Sequence, residues 1–239
     1  MRESSAASIG ILGLETSYPK VRGHVRNPST FEFPVVYRVV KGATPKRVVE
    51  RADERLLGPF IDAARELEAE GVAAVTSGCG FLVLFQRQLA DAIHVPVYLS
   101  SLIQIPIVHR MIRSDQKVGL LVAKTAALTL KHLEAVGAQS VPICVAGMDS
   151  QPEFCEVILD QKRTDLDVDR LEREVLCEVD RLARRNPEIG ALIIECTDLT
   201  PFAHAIQRRI AKPVLDIISL TNMVHASVTR GPYRDSTLD

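Results

Sequence analysis

The segment Ile193-Ile194-Glu195-Cys196-Thr197-Asp198-Leu199-Thr200-Pro201 is the most informative part of this sequence, because a related segment, Ala74-Val75-Thr76-Ser77-Gly78-Cys79, occurs 117 positions earlier. When Cys79 is placed on Cys196, Phe85 falls on Phe202 and Pro96-Val97 falls on Pro213-Val214 without a gap. Each copy has the pattern of a buried strand, a polar turn with one cysteine, an amphipathic helix and the start of another strand.

A second pair of segments supports an internal duplication. Residues 9–16 resemble residues 118–125 at an offset of 109 positions, so the first half is shorter than the second by eight positions in between. Two similar pairs in the same order favour a duplicated half-molecule. The sequence therefore predicts an α/β protein of two pseudosymmetric Rossmann-like lobes with parallel sheets and a site in the cleft between them. We assign residues 1–101 and 215–239 to the first lobe and 102–214 to the second.

Composition excludes several classes of protein. The chain has 239 residues, a net charge of -1 and 25% charged residues, so neither nucleic acid nor a membrane is expected as a partner. The N-terminal residues lack the apolar region of a signal peptide, and we expect a cytoplasmic protein. Five cysteines without a Cys-x-x-Cys pair, together with scattered histidines, argue against a disulfide framework and a metal site.

The turn after the first strand contains Glu15, Thr16 and Ser17, which are candidates for substrate binding because open α/β sheets bind ligands at the carboxyl ends of their strands. Thr125 occupies the position of Thr16 in the second half and is a candidate for the same reason. The alternative is that Thr16 or Ser17 only stabilises the turn.

A polar loop over residues 21–33 replaces the helix expected after the first strand. Such loops often cover a site or contact an anion, so Asn27 is a candidate binding residue and Arg26 could meet a carboxylate. The alternative is that Arg26 is simply solvated.

The remaining pattern predicts ordinary structural elements. We expect a helix from Thr44 to about Glu70 with a break at Gly58-Pro59, a charged helical region over 149–187, and a C-terminal helix over 217–228 that returns to the first lobe. Residues 231–239 are interpreted as a mobile or partner-contacting tail. Three further cysteines are expected to pack rather than react: Cys144, Cys155 and Cys177.

Cys79 and Cys196 are the candidate catalytic residues. If the lobes face each other, the two thiols approach one bound carbon from opposite sides, as the inversion of a carbon acid requires. The helix that follows each cysteine is expected to lower the pKa of its thiol.

The cysteine turns and the turn over residues 15–17 resemble those of the aspartate/glutamate racemase superfamily, which includes hydantoin racemases, arylmalonate decarboxylases and maleate isomerases. The resemblance implies a cofactor-independent enzyme, commonly dimeric, in which Cys79 is the acid/base residue of the first lobe and Cys196 that of the second. It also implies that Thr197 binds a substrate carboxylate, and that Thr76, Ser77, Gly78 and Gly80 form the corresponding turn of the first lobe.

The sequence departs from the amino-acid racemases of that superfamily at both turns. Gly80-Phe81 stands where Asn-Thr is usual, and Glu195 and Asp198 flank the second cysteine. A carboxylate at Glu195 would oppose a thiolate unless it points away. These differences call an amino-acid substrate into question more than the two-thiol chemistry; Asp198 is kept as a binding candidate.

The sequence thus predicts a racemase or epimerase of a small carboxylate-bearing carbon acid, without metal or cofactor, forming a homodimer or higher homo-oligomer. A decarboxylase or a cis-trans isomerase of the same superfamily is the first alternative. A non-catalytic protein that binds a small ligand is the second.

Overall fold

Two four-stranded parallel sheets form the centre of the structure, a computed structural model that describes residues 7–231. The first sheet has the order β2-β1-β3-β4 and the second has the order β6-β5-β7-β8, so the two have the same topology. The predicted fold class is therefore confirmed. The strands are β1 (Ile9–Gly13), β2 (Val35–Val39), β3 (Ala74–Ser77), β4 (Val97–Tyr98), β5 (Lys117–Val122), β6 (Ile143–Gly147), β7 (Ile189–Ile194) and β8 (Val214–Leu215).

Helices cover the faces of these sheets. They are α1 (Leu57–Ala69), α2 (Gln86–Ala92), α3 (Ile105–Met111), α4 (Leu130–Glu134), α5 (Val168–Arg185), α6 (Ala203–Ile210) and α7 (Ile217–Val228). Every residue of β1 and of β7 is buried, as expected for parallel strands with both faces covered. In α5, Leu171, Val175, Val179 and Leu182 recur at three- and four-residue steps and are buried.

The chain crosses between the lobes twice. The first four strands lie within the predicted first lobe, and the last four lie within the second except for Leu215. As predicted, α7 returns to the first sheet, where Ile217 and Leu220 pack in one cluster with Ile9 and Ile11. The predictions for the N-terminal end and the C-terminal tail fall largely outside the described residues.

The structure contradicts the break that the sequence predicts at Gly58-Pro59, within a helix from Thr44 to Glu70. A π-helical turn, Lys46–Glu50, precedes α1, and Pro59 lies in the first turn of α1, where the N–H that proline lacks has no helical partner. The break lies instead at Asp53, whose carboxylate accepts hydrogen bonds from Arg47 and Arg55. The first helical segment therefore ends before the Gly-Pro pair, and Asp53 caps the short turn Glu54–Leu56 that leads into α1.

A second π-helical turn, Phe154–Leu159, follows β6 as the first follows β2. Two positions after each turn the backbone adopts a left-handed conformation, at Ala52 (φ 44°) and at Gln161 (φ 51°). We call Lys46–Glu50 and Phe154–Leu159 the paired π-turns. Wide turns of this kind often occur at functional sites.

Within residues 7–231, none of the helices has the length and apolar character that crossing a bilayer requires.

Candidate active site

A small cavity lies where the carboxyl ends of the strands of the two lobes meet. Cys79 and Cys196 both line it, so the structure brings together the two thiols that the duplicated segments indicated. The remaining lining residues are Leu14, Thr16, Tyr18, Lys20, Arg26, Pro45, Val49, Gly78, Gly80, Phe81, Ala123, Ile158, Leu159, Glu195, Thr197 and Asp198.

Each cysteine stands directly before a 3₁₀-helical turn, Gly80–Phe85 in the first lobe and Thr197–Phe202 in the second. Such a turn directs its first backbone N–H groups towards the residue that precedes it. The turns of the two lobes are joined to each other, since the Thr197 hydroxyl donates a hydrogen bond of 2.7 Å to the Gly78 carbonyl oxygen. The position of one thiol relative to the other is thereby tied to a direct contact between the lobes.

The pKa values of both thiols are raised, contrary to the expectation that the following helices lower them. For Cys79 the causes are burial and then the charge of Glu195, and for Cys196 they are burial and then the charges of Asp198 and Glu195. Backbone N–H groups of the 3₁₀ turns do favour the thiolates, but they do not outweigh burial. In the free protein both groups are therefore neutral thiols at pH 7.

Asp198 is the centre of a charged cluster on one wall of the cavity. Its carboxylate accepts hydrogen bonds from the Tyr18 hydroxyl at 3.0 Å and from Lys20 Nζ at 3.1 Å, and His24 Nε2 lies 3.1 Å away. Burial opposes ionisation of Asp198, but Lys20 and His24 outweigh it and hold the pKa of this carboxyl well below its usual range. Asp198 is thus ionised, and its charge is balanced by Lys20.

Arg26 is the other cation of the cavity. Its guanidinium donates to the Leu14 carbonyl oxygen at 2.7 Å and to the Thr16 hydroxyl at 3.2 Å. It packs so closely against Gly13 and Gly78 that a Cβ atom at either glycine would lie 2.8 Å from it. Burial lowers the pKa of Arg26, but a guanidinium stays protonated in proteins. Among the described residues it forms no ion pair with a carboxylate, so it can receive an anion.

Glu195 lies beside the thiols and contacts the opposite lobe. Its side chain and backbone are so close to Gly80 that a Cβ atom there would lie 2.6 Å from the Glu195 carbonyl oxygen, which explains the glycine after Cys79. Burial raises the pKa of Glu195 to about 8, so this group is a neutral carboxylic acid at pH 7. The predicted conflict with a thiolate is removed by protonation.

Apolar residues form the rest of the lining, which we call the apolar wall. The paired π-turns contribute Val49 from one lobe and Ile158 and Leu159 from the other, and Leu14 and Phe81 complete the wall. Glu50 of the first turn is held to the second lobe by an ion pair of 2.9 Å with Lys124. The cavity lining therefore includes charged and apolar residues, and both lobes contribute to each.

The structure divides the predicted site residues into two groups. Those that line the cavity are Thr16, Gly78, Cys79, Gly80, Cys196, Thr197 and Asp198. Those that do not line it are Glu15, Ser17, Asn27, Thr76, Ser77 and Thr125.

The residues of the second group make local contacts instead. Glu15 accepts a hydrogen bond from the Gly42 backbone, and Ser17 is exposed. Asn27 caps the short turn Pro28–Thr30. Thr125 bonds to Asp149.

The hydroxyls of the first-lobe turn also point to the backbone. Thr76 donates to the Tyr98 carbonyl oxygen and Ser77 donates to that of Leu99, which fixes the end of β3 next to β4. Ser77 also reaches the Cys79 carbonyl oxygen at 2.8 Å. These two residues hold the turn that carries Cys79.

Sequence reasoning did not assign Tyr18 and Lys20 to the site. Both contact Asp198 about 180 positions further along the chain. A polar residue in a loop after a strand gives no signal of such a distant partner. Glu195 was noticed only as an obstacle to a thiolate.

Comparison with known structures first defines the class of protein. An allantoin racemase from Klebsiella pneumoniae matches with a TM-score of 0.67 over 93% of this chain and 87% of its own, at 12% identity. An unliganded arylmalonate decarboxylase matches with a TM-score of 0.56 over 95% of each chain, at 12% identity. The chain therefore has the fold of the aspartate/glutamate racemase superfamily, as its cysteine turns suggested.

Sequence comparison then gives the family. Dimethylsulfoniopropionate lyase 7 of Emiliania huxleyi (strain CCMP1516) is 31% identical over 94% of this chain and 68% of its own length, and dimethylsulfoniopropionate lyase of Durusdinium sp. clade D is 30% identical over 89% and 72%. The chain belongs to the dimethylsulfoniopropionate lyase family, a family of enzymes. It spans 61% of another relative, lyase 3 of Emiliania huxleyi. No family model matches the chain.

The prediction of a racemase or epimerase is wrong. The relatives at about 31% identity are lyases, whereas the racemases share the fold at 11–16% identity. The first alternative, a decarboxylase or cis-trans isomerase, agrees better with these relatives, because a decarboxylase is itself a lyase. One fold can serve both kinds of chemistry, which is why the two cysteines did not identify the reaction.

Proposed function

We propose that this chain is a lyase that cleaves dimethylsulfoniopropionate, or a closely similar β-sulfonio carboxylate, by β-elimination. The observation that carries the proposal is a cavity, in a chain of this lyase family, that holds two thiols and an arginine without an ion pair among the described residues. Removal of a proton from the carbon next to the carboxylate and departure of the sulfur from the adjacent carbon give acrylate and dimethyl sulfide.

The chemistry of such a substrate fits both the charged and the apolar residues that line the cavity. Its carboxylate would bind the Arg26 guanidinium, and a cation at this position also makes the neighbouring C–H more acidic by stabilising the charge that develops. Its two methyl groups would lie against the apolar wall formed with Val49, Ile158 and Leu159. The leaving group departs as a neutral sulfide and needs no proton, so a single base suffices.

The direct test is the release of dimethyl sulfide. Purified protein is incubated with dimethylsulfoniopropionate, the gas phase is followed by gas chromatography, and acrylate is followed by proton NMR. We expect equal amounts of both products. The double variant Cys79→Ala/Cys196→Ala gives the spontaneous background. Release by the wild-type protein that does not exceed this background would contradict the proposed function.

Arg26→Lys tests the placement of the carboxylate. Lysine keeps the charge but loses the planar fork that holds a carboxylate in two contacts, so we expect kcat/KM to fall about 10- to 100-fold, mainly through KM. Arg87→Lys is the control, because Arg87 is 84% exposed on α2 and pairs with Asp91 away from the cavity. An unchanged KM in Arg26→Lys would place the carboxylate elsewhere.

A further inference from the structure

Glu195 is a buried group that the proposed elimination leaves unexplained. It is 1% exposed and lines the cavity, yet neither of its carboxyl oxygens accepts a hydrogen bond of normal geometry from the described residues. A backbone contact from Ala123 lowers the pKa of Glu195, but it offsets only part of the increase that burial causes. A buried carboxyl group without partners is destabilising, so its presence calls for a function.

The surroundings of Glu195 connect it to both thiols. It directly precedes Cys196, and it packs against Gly80, which directly follows Cys79. A charge on Glu195 acts on each of the two sulfur atoms. The carboxyl group thus lies at the boundary between the lobes, in the same cavity as both thiols.

The proposed elimination needs a base, and neither thiol is ionised in the free protein. The position of Glu195 provides a proton acceptor. Both thiols are neutral in the free protein, and ionising either of them inside the cavity is unfavourable because burial and neighbouring carboxylates oppose the charge. A thiol that passes its own proton on while it takes another stays neutral throughout. Such a step needs a hydrogen bond between the thiol and its proton acceptor. Glu195 lines the cavity with both thiols but is not hydrogen-bonded to either in the free protein, so this bond has to form when the substrate is bound.

We propose that Glu195 is a catalytic acid-base residue whose carboxylate accepts the proton of a cavity thiol as that thiol removes the substrate's α-proton. The inference rests on the proposed function.

In this step the Cα–H bond and the old S–H bond break, while a new S–H bond and an O–H bond at Glu195 form. The electron pair of the Cα–H bond becomes the double bond of acrylate, and the pair of the C–S bond leaves with the sulfur as dimethyl sulfide. Glu195 returns the proton to water when the products have left.

The relay makes the rate depend on the ionised form of Glu195. The other titratable or charged groups that line the cavity are Tyr18, Lys20, Arg26, Cys79, Cys196 and Asp198. Burial and neighbouring carboxylates raise the pKa values of the thiols far above 8, burial raises that of Tyr18, and the pKa of Asp198 lies well below its usual range. Glu195 has a pKa of about 8. Burial lowers the pKa of Lys20, so it is the loss of the rise in Glu195→Gln that assigns the rise to Glu195.

The experiment compares the pH dependence of kcat/KM for dimethylsulfoniopropionate in the wild-type protein, Glu195→Gln and Glu195→Asp. We expect kcat/KM of the wild-type protein to rise about tenfold per pH unit up to about pH 8. Glu195→Gln should lose this rise, and above pH 8 it should be slower than the wild-type protein by about 100-fold or more. Glu195→Asp keeps a carboxyl group and should keep the rise. Glu178→Gln, a buried carboxyl of α5 outside the cavity, should keep the wild-type profile.

Two results would overturn the role of Glu195: a Glu195→Gln variant that keeps the rise through pH 8, or one that loses the same factor at every pH, as a structural defect does. A second measurement needs no substrate. Infrared difference spectroscopy of the wild-type protein against Glu195→Gln should show a protonated carboxyl group that ionises near pH 8, and ionisation below about pH 5 contradicts the inference. Absence of dimethyl sulfide from the wild-type protein contradicts the proposed function instead.

Discussion

Replacing either Cys79 or Cys196 by alanine is expected to reduce the release of dimethyl sulfide, but by unequal factors. An elimination that expels a neutral sulfide needs one proton acceptor, so the thiol that contacts the α-proton should account for about 10³-fold in kcat. The other thiol contributes only to the shape and polarity of the cavity. A racemase, in contrast, would lose inversion equally with either change, because each direction of inversion uses both groups.

The double variant Cys79→Ala/Cys196→Ala sharpens this expectation. If one thiol is the base, the double variant is as slow as the slower single variant, because groups that act as one unit are not additive. Cys144→Ala is the control, since Cys144 lies in β6 outside the cavity. Equal losses in the two single variants, with a further loss in the double variant, would contradict a single base. Steady-state rates from gas chromatography and unfolding curves of each variant provide the comparison.

Replacing Asp198 by asparagine is expected to lower the free energy of unfolding at pH 7 by about 2–4 kcal/mol. The change leaves Lys20 without its carboxylate in a part of the cavity where its side chain is 14% exposed. The contacts that Asp198 makes with Tyr18 and Lys20 also hold the loop of the first lobe on the cysteine turn of the second, so the loss should extend to the docking of the lobes.

The effect of Asp198 should depend on pH in a defined direction. Because its pKa is lower in the folded protein than in the unfolded chain, it stabilises the fold above the ordinary carboxyl pKa of about 4, and this contribution is lost as the pH falls. The free energy of unfolding, measured with urea, should therefore differ less between the wild-type protein and Asp198→Asn as the pH is lowered. Asp180→Asn removes the more exposed pair with Arg209 and should change stability by less than about 1 kcal/mol. If the difference in the free energy of unfolding between the wild-type protein and Asp198→Asn stays constant with pH, the charge of Asp198 is not its source.

The fold could be predicted because it is repeated in the sequence. The duplicated segments preserved the order strand, cysteine turn, helix and strand, and the structure has the same strand order in each lobe. Boundaries were less predictable. Asp53 caps the short turn Glu54–Leu56 that leads into α1 and contacts two arginines, and no periodic pattern predicts these contacts.

About half of the site followed from the same repeat. The residues at the ends of β3 and β7, such as Cys79 and Thr197, are placed by the sheets, so their position in sequence gives their position in space. Tyr18 and Lys20 reach Asp198 only through the path of a loop, which sequence patterns do not specify. The reaction could not be read from the thiols, because whether a carbon acid inverts or eliminates depends on the leaving group of the substrate.

The paired π-turns have a consequence for how this family could diversify. A π-turn contains one residue more than the α-helical turn it resembles, and it forms where a single residue is inserted. Both turns lie in the walls of the cavity and outside the strands, so a deletion at Val49 or at Ile158 would reshape the opening and leave the sheets intact. Single-residue gains and losses on either side of the molecule can thus change which bulky groups are admitted without any exchange of the reacting residues.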